Sequence, residues 1–199
     1  MAVAQSVGDR QMSYSQLYDD IQGIHGKIST NYIRTRIIAI TRISRIKEQW
    51  SAELDPNYMK GFYVEGPFGA PINISENEVL IVLSRKLDKH MRRVVLTKEL
   101  MHTFDEEHEL TNTIDKFDAQ VERFCDPTVD ASPQFKAETK AFWRALGVLC
   151  QEQRRLGFEN QLKEGKISLA VVAAALQIPQ QYARNLFRPD FLKIIVALK

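Results

Sequence analysis

The sequence predicts an α+β fold, mostly helical, with a small sheet placed ahead of a central helix. Three observations predict it. Ile33, Ile37, Ile40, Ile43 and Ile46 recur at intervals of three and four, the stripe of a helix with one buried face. Val79 to Ser84 (VLIVLS) is a short, branched apolar run of the kind that fills a buried strand. From Gln134 onward the chain reads as successive helices separated by turn residues. At 199 residues, 44% apolar and 26% charged, it has the size and composition of a globular domain with a sizeable core.

Taken in order, residues 1–12 are polar and expected to fray. Ser13-Tyr14-Ser15 can cap a helix that runs, with a break near Gly23 and Gly26, to about Trp50, and Asp55-Pro56-Asn57 ends it. Gly61 to Glu65 reads as a short strand, Glu65-Gly66-Pro67-Phe68-Gly69 as a turn, Ala70 to Ile74 as extended chain and Val79 to Ser84 as the buried strand. A basic link (Lys89, Arg92, Arg93) leads into a helix from Val94 to about Phe104. An acidic, Thr/Asn-rich loop and a helix from about Ile114 to Cys125 follow, and Asp126-Pro127 and Ser132-Pro133 bracket a turn. Helices over about Gln134–Gly157, Ser168–Leu176 and Pro179–Phe187 complete the pattern. The natural divisions are an N-terminal helical region (1–57), a core (58–130) and a C-terminal helical region (131–199), expected to form one compact unit.

Composition narrows the function classes. The net charge of +2 points to no partner by itself. Two cysteines, Cys125 and Cys150, with no C-x-x-C spacing, fit reduced thiols rather than a disulfide framework. The start, MAVAQSVGDRQ, lacks the basic-then-apolar order of a signal peptide, and no apolar run is long enough to span a bilayer. A cytoplasmic location is the expectation.

The most informative chemistry lies in Lys98-Glu99-Leu100-Met101-His102. It has the spacing of His-Glu-x-x-His, in which two histidines on one helix face hold Zn²⁺ and the glutamate serves as general base. Here a lysine stands at the first position. An ammonium has no lone pair to give a metal, and its ordinary pKa of about 10.4 resists deprotonation. Two readings follow. Lys98 can occupy the space of the metal and pair with Glu99, Asp115 or Asp118, or Lys98-Glu99 can be a solvated pair beside a hydrogen-bonded core histidine. A third arrangement would assemble a carboxylate-rich metal site from Glu99, His102, Asp105 and Glu106, were the helix to continue, with His108 and His90 nearby.

The order of strand, basic link, motif helix and later helix resembles the ImmA/IrrE family of small zinc peptidases, which read "R-x-x-x-A-H-E-L-G-H" followed by "E-x-x-A-x-x-F-A-x-x-L-L-x-P". Arg93 to His102 (RVVLTKELMH) is similar to the first block, with Lys98 for histidine and Met101 for glycine, and Asp115 to Pro127 is similar to the second. The resemblance covers about Tyr58 to Phe187. It implies a minimal zincin-like fold followed by a C-terminal bihelix, and a partnership with a repressor-, phage- or toxin–antitoxin-type system. In the family the third ligand is the glutamate opening the second block. One register puts Lys116 in that slot, leaving His102 as sole ligand; another puts Asp115 there, leaving two. The implied function is a degenerate peptidase that binds a protein partner without cutting it and carries no cofactor. The alternative is an active metallopeptidase with zinc on rearranged ligands (His102, Asp115 and His108) and Glu99 as general base.

Charge is segregated. Between Ile21 and Lys47 there are six bases (Lys27, Arg34, Arg36, Arg42, Arg45, Lys47) and no acid; between Lys98 and Asp130 there are ten acids against three bases. The two regions can face each other, stand as separate solvated faces, or meet nucleic acid and a basic partner respectively. Near the C-terminus, Ala173 to Leu186 has helix-turn-helix spacing with Gln180, Gln181, Arg184 and Asn185 positioned for exposure, residue types able to read base edges. A DNA-binding regulator is therefore a further alternative, against which the turn lacks its usual glycine and such a bihelix also serves as plain structure.

Overall fold

A computed structural model describes residues 13–69, 73–106, 109 and 133–199. The fold is α+β and mostly helical, with a small three-stranded mixed sheet. The first two helices, α1 (Tyr14–Gln22) and α2 (Thr30–Ile40), are separated near Gly23 and Gly26 as the sequence predicts. Ser29 caps α2, its hydroxyl accepting from the Tyr32 N–H at 3.0 Å. Ile33, Ile37 and Ile40 form its buried face.

The expected continuation of helix to Trp50 is wrong. The backbone turns extended at Thr41 (φ −123°, ψ 179°), and Arg45–Ser51 forms strand β1. Ile43 and Ile46 are buried, but from a loop and a strand. Their spacing continued a helical stripe by coincidence, and a parallel ladder with a distant strand decides the conformation.

That distant strand is β3 (Glu78–Ser84), central in the order β1-β3-β2, with β2 (Gly61–Glu65) antiparallel on its other side. Its run of branched apolar residues fits a strand with a neighbour on each edge. Trp50 pairs with Leu83 across one side and Tyr63 with Ile81 across the other. Of the extended segment expected over Ala70 to Ile74, residues 70–72 lie outside the described residues, and Ile74 makes an isolated bridge to Phe68. Gly66 is required there, because a Cβ would lie 2.1 Å from the Ser75 carbonyl oxygen.

The motif helix α3 (Lys89–Met101) begins five residues earlier than expected. Asp88 is the reason: its carboxylate accepts from the His90 and Met91 N–H groups at 2.8 and 2.9 Å, so Lys89, Arg92 and Arg93 belong to the helix rather than to a link. A 3-10 turn (His102–Phe104) ends it. The helix expected over Ile114 to Cys125, with Asp115, Lys116 and Asp118, lies outside the described residues.

The single helix expected from Gln134 to Gly157 is two, α4 (Pro133–Leu149) and α5 (Glu152–Lys163). Gln151 breaks it: buried and non-helical (ψ 146°), it donates through Nε2 to the Ile24 and Gly26 carbonyls at 2.9 and 2.8 Å, fastening the α1–α2 loop. α6 (Leu169–Leu176) starts at its Ser168 cap as predicted. A short α7 (Gln180–Ala183), a 3-10 turn (Arg184–Phe187) and α8 (Phe191–Leu198) follow, the last unannounced by the pattern. One buried cluster runs from Tyr14 to Ile195 through helices and sheet alike. α1 meets α4 closely at Gly147, where a Cβ would stand 2.4 Å from the Tyr14 hydroxyl, and that hydroxyl donates to the Arg144 carbonyl at 3.1 Å.

A candidate site of interleaved charges

The last turn of α3 carries Lys98 and Glu99 and passes directly into His102, so positions i, i+1 and i+4 look toward α4. α4 packs against α3, and its Ala137, Ala141 and Ala145 are all buried at intervals of four. Glu138, next to Ala137, meets the motif. The Lys98 ammonium pairs with Glu138 Oε2 and, at 3.0 Å, with Glu99 Oε1. His102 Nε2 lies 3.4 Å from Glu138 Oε1 and 3.7 Å from Glu99 Oε2. His102 Nδ1 is 2.6 Å from Asp105 Oδ2, and the other Asp105 oxygen accepts from Arg144 Nη1 at 2.7 Å. The Tyr63 ring, from β2, lies 5.9 Å from the His102 ring.

The side chains of Glu99 and Asp105 are 1% exposed and that of Glu138 is 30%, so the cluster opens to solvent on the Lys98–Glu138 side. Burial works to lower the Lys98 pKa, and the Glu99 and Glu138 carboxylates more than reverse it, so the ammonium persists. Burial likewise opposes the charged imidazole, yet its hydrogen bond to Asp105 and the neighbouring Glu138 raise the His102 pKa to about 9. Burial pushes the Glu138 carboxyl upward, but Lys98 and His102 hold it well below the usual carboxylate range. Glu99, fully enclosed, is raised by that burial against the pull of Lys98.

These residues do not fit zinc. The first ligand position is an ammonium, and both His102 ring nitrogens face carboxylates, which favours the charged imidazole over the neutral form a metal ligand needs. Among the described residues no group of three or more histidine, cysteine or carboxylate side chains is arranged to hold a metal ion.

The structure brings Lys98, Glu99, His102 and Asp105 together; His90 stands at the opposite end of α3. Beyond Met101 the α-helix gives way to the 3-10 turn and Asp105 is extended, so Glu106 does not continue the face of Glu99 and His102. Asp115, Lys116, Asp118 and His108 lie outside the described residues. Glu138 and Arg144 are the residues sequence reasoning missed. The alanine spacing of α4 marks a face of close helix contact and was the available signal.

Most of the acidic segment lies outside the described residues, and among the described residues the basic segment pairs with acids of α1 and the sheet. Arg34 pairs with Glu48, Arg36 with Asp20, Arg42 with Glu65 at 2.8 Å, and both Arg45 (3.8 Å) and Lys47 (2.6 Å) with Glu78. Gln180, Gln181 and Arg184 are exposed on α7 and its 3-10 extension. The turn before them uses Gln177 in the left-handed region (φ 55°, ψ 48°), the conformation for which a glycine is usual. No helix among the described residues is long and apolar enough to cross a membrane. No family model, curated protein or solved structure matches the chain.

Proposed function

We propose that this protein is a zincin-like module without hydrolytic activity, related in pattern to ImmA/IrrE proteins, that acts in the cytoplasm by binding a protein partner of repressor or toxin type. The observation that carries the reading is the Lys98 ammonium lying between Glu99 and Glu138 beside His102. A metal at that place would polarise a water and lower its pKa. A lysine supplies the positive charge without the activated water. Glu99 then has no nucleophile to deprotonate and serves as a counter-ion. The partner's class comes from the sequence resemblance alone.

The test is twofold. Protein purified without a histidine tag is assayed for zinc, manganese and iron by mass spectrometry, and is mixed with a cognate repressor-type protein. The expected result is a complex that leaves the partner intact, with no stoichiometric metal. Metal that is lost in His102→Ala, together with partner cleavage that is lost in Glu99→Gln, would establish the rearranged metallopeptidase instead.

A DNA-binding role draws support from the exposure of Gln180, Gln181 and Arg184. The ion pairs made by Arg34, Arg36, Arg42, Arg45 and Lys47 count against a second contact surface there. Such a role requires steeply salt-dependent binding to a DNA duplex, and no binding at low salt would remove it.

A further inference from the structure

A second charged cluster lies at the C-terminal end of α6, away from the α3–α4 site. Arg93, buried in α3, donates through Nε to the Leu176 carbonyl at 3.1 Å and through Nη2 to the Ile28 carbonyl at 2.5 Å. Arg154 from α5 reaches the Ala175 carbonyl at 3.3 Å, and Lys27 reaches the Gln177 side-chain oxygen at 2.7 Å. Three cationic heads thus converge on the last turn of one helix. Lys89, at the start of α3, stands near enough that, after desolvation and Arg93, its charge helps depress the Lys27 pKa.

Capping explains part of this. The end of a helix carries unsatisfied carbonyls and roughly half a negative charge. Four cations exceed that several-fold. Among the described residues none of the four is paired with a carboxylate. The nearest acid in sequence, Asp88, is engaged with the first N–H groups of α3. Arg154 Nη1 is buried with no acceptor among the described residues, and the guanidinium is held 5.3 Å over the Phe158 ring. The heads are therefore positioned by backbone carbonyls and an aromatic face, with charge left uncompensated. Arginine forks beside exposed ammonium groups match an oxyanion that carries more than one charge and several acceptor oxygens.

We infer that the end of α6, with Lys27, Lys89, Arg93 and Arg154, is a binding site for a phosphate-class oxyanion. The site is independent of the reading of Lys98. Lys27 and Lys89 are both exposed, so they can be changed without disturbing the buried Arg93.

The experiment titrates inorganic phosphate against the intact protein, with chloride at matched ionic strength as control, and follows the backbone amide signals of Lys27, Gln177 and Ile178. Saturable shifts are expected with phosphate and not with chloride. The double variant Lys27→Gln/Lys89→Gln, checked for an unchanged melting temperature, should bind roughly tenfold more weakly. Shifts that chloride reproduces, or that survive unchanged in the double variant, would overturn the site. A short DNA duplex added to the phosphate complex identifies the source: displacement assigns the site to a nucleic-acid phosphodiester, and persistence of the phosphate signals assigns it to a free anion or small phosphate ester.

Discussion

The molecule holds two charged clusters built on opposite principles. At the junction of α3 and α4, cations and anions alternate: Lys98, Glu99, His102, Asp105, Glu138 and Arg144 each lie beside a group of opposite sign. At the end of α6, Lys27, Lys89, Arg93 and Arg154 stand together without a carboxylate among the described residues. The first cluster is closed, since each of its charges lies beside one of opposite sign and an ammonium stands where a metal would. The second is open, since its charges are oriented but not neutralised. A group removed from the closed cluster strands a buried partner. An exposed ammonium removed from the open one, Lys27 or Lys89, relieves repulsion.

The largest effect is expected at Asp105, whose side chain is 1% exposed and serves both His102 and Arg144. Asp105→Asn removes the carboxylate that pairs with Arg144 and with His102 Nδ1 and should cost about 3–5 kcal/mol, read from the urea midpoint. A loss near zero would show that the closed cluster is not mutually dependent.

A slightly smaller effect should appear with pH. His102 is raised to about 9 in the folded protein, above its ordinary value of about 6.5 in the unfolded chain. A raised pKa means the folded state holds the proton more tightly. The contribution is complete below the unfolded pKa and is lost as pH rises toward 9, amounting to about 3 kcal/mol. Urea titrations across that window should decline for the native chain and decline less for His102→Gln.

Glu138 is the more exposed member of the pair with Lys98, so the penalty for a stranded charge is softened by solvent. Glu138→Gln should cost about 2 kcal/mol and should lower the His102 pKa, which proton NMR of the imidazole reads directly. In the open cluster, Lys89→Gln should change stability by less than about 0.5 kcal/mol, with stabilisation the expected sign, by thermal melting. A cost comparable to that of Glu138→Gln would mean that Lys89 has an acidic partner and that the contrast between the clusters fails.

Much of this was legible in local sequence. The branched run of β3, the Ser168 cap of α6 and the helical placement of Lys98, Glu99 and His102 are written within a few residues of where they act. β1 was misread because Ile43 and Ile46 extend a helical spacing, while the parallel partner strand β3 that fixes the backbone from Arg45 onward lies over thirty residues away. Glu138 was missed for the same kind of reason: its neighbours in sequence carry no motif, and its role exists only because α4 packs against α3, some forty residues away in the chain. The open cluster draws on the α1–α2 loop, α3 and α5, and no linear pattern announces it.

The claim at the centre is that Lys98 takes the place of a metal ion. Lys98→His tests it most directly, with zinc content of the untagged protein measured by mass spectrometry after zinc exposure and dialysis. If the cleft is zincin-like and closed by its own cation, the native chain should carry no stoichiometric zinc. Lys98→His, with His102 and Glu138 as companion ligands, should then retain about one zinc per chain. Zinc held by the native chain, or a Lys98→His variant that folds and holds none, would contradict it.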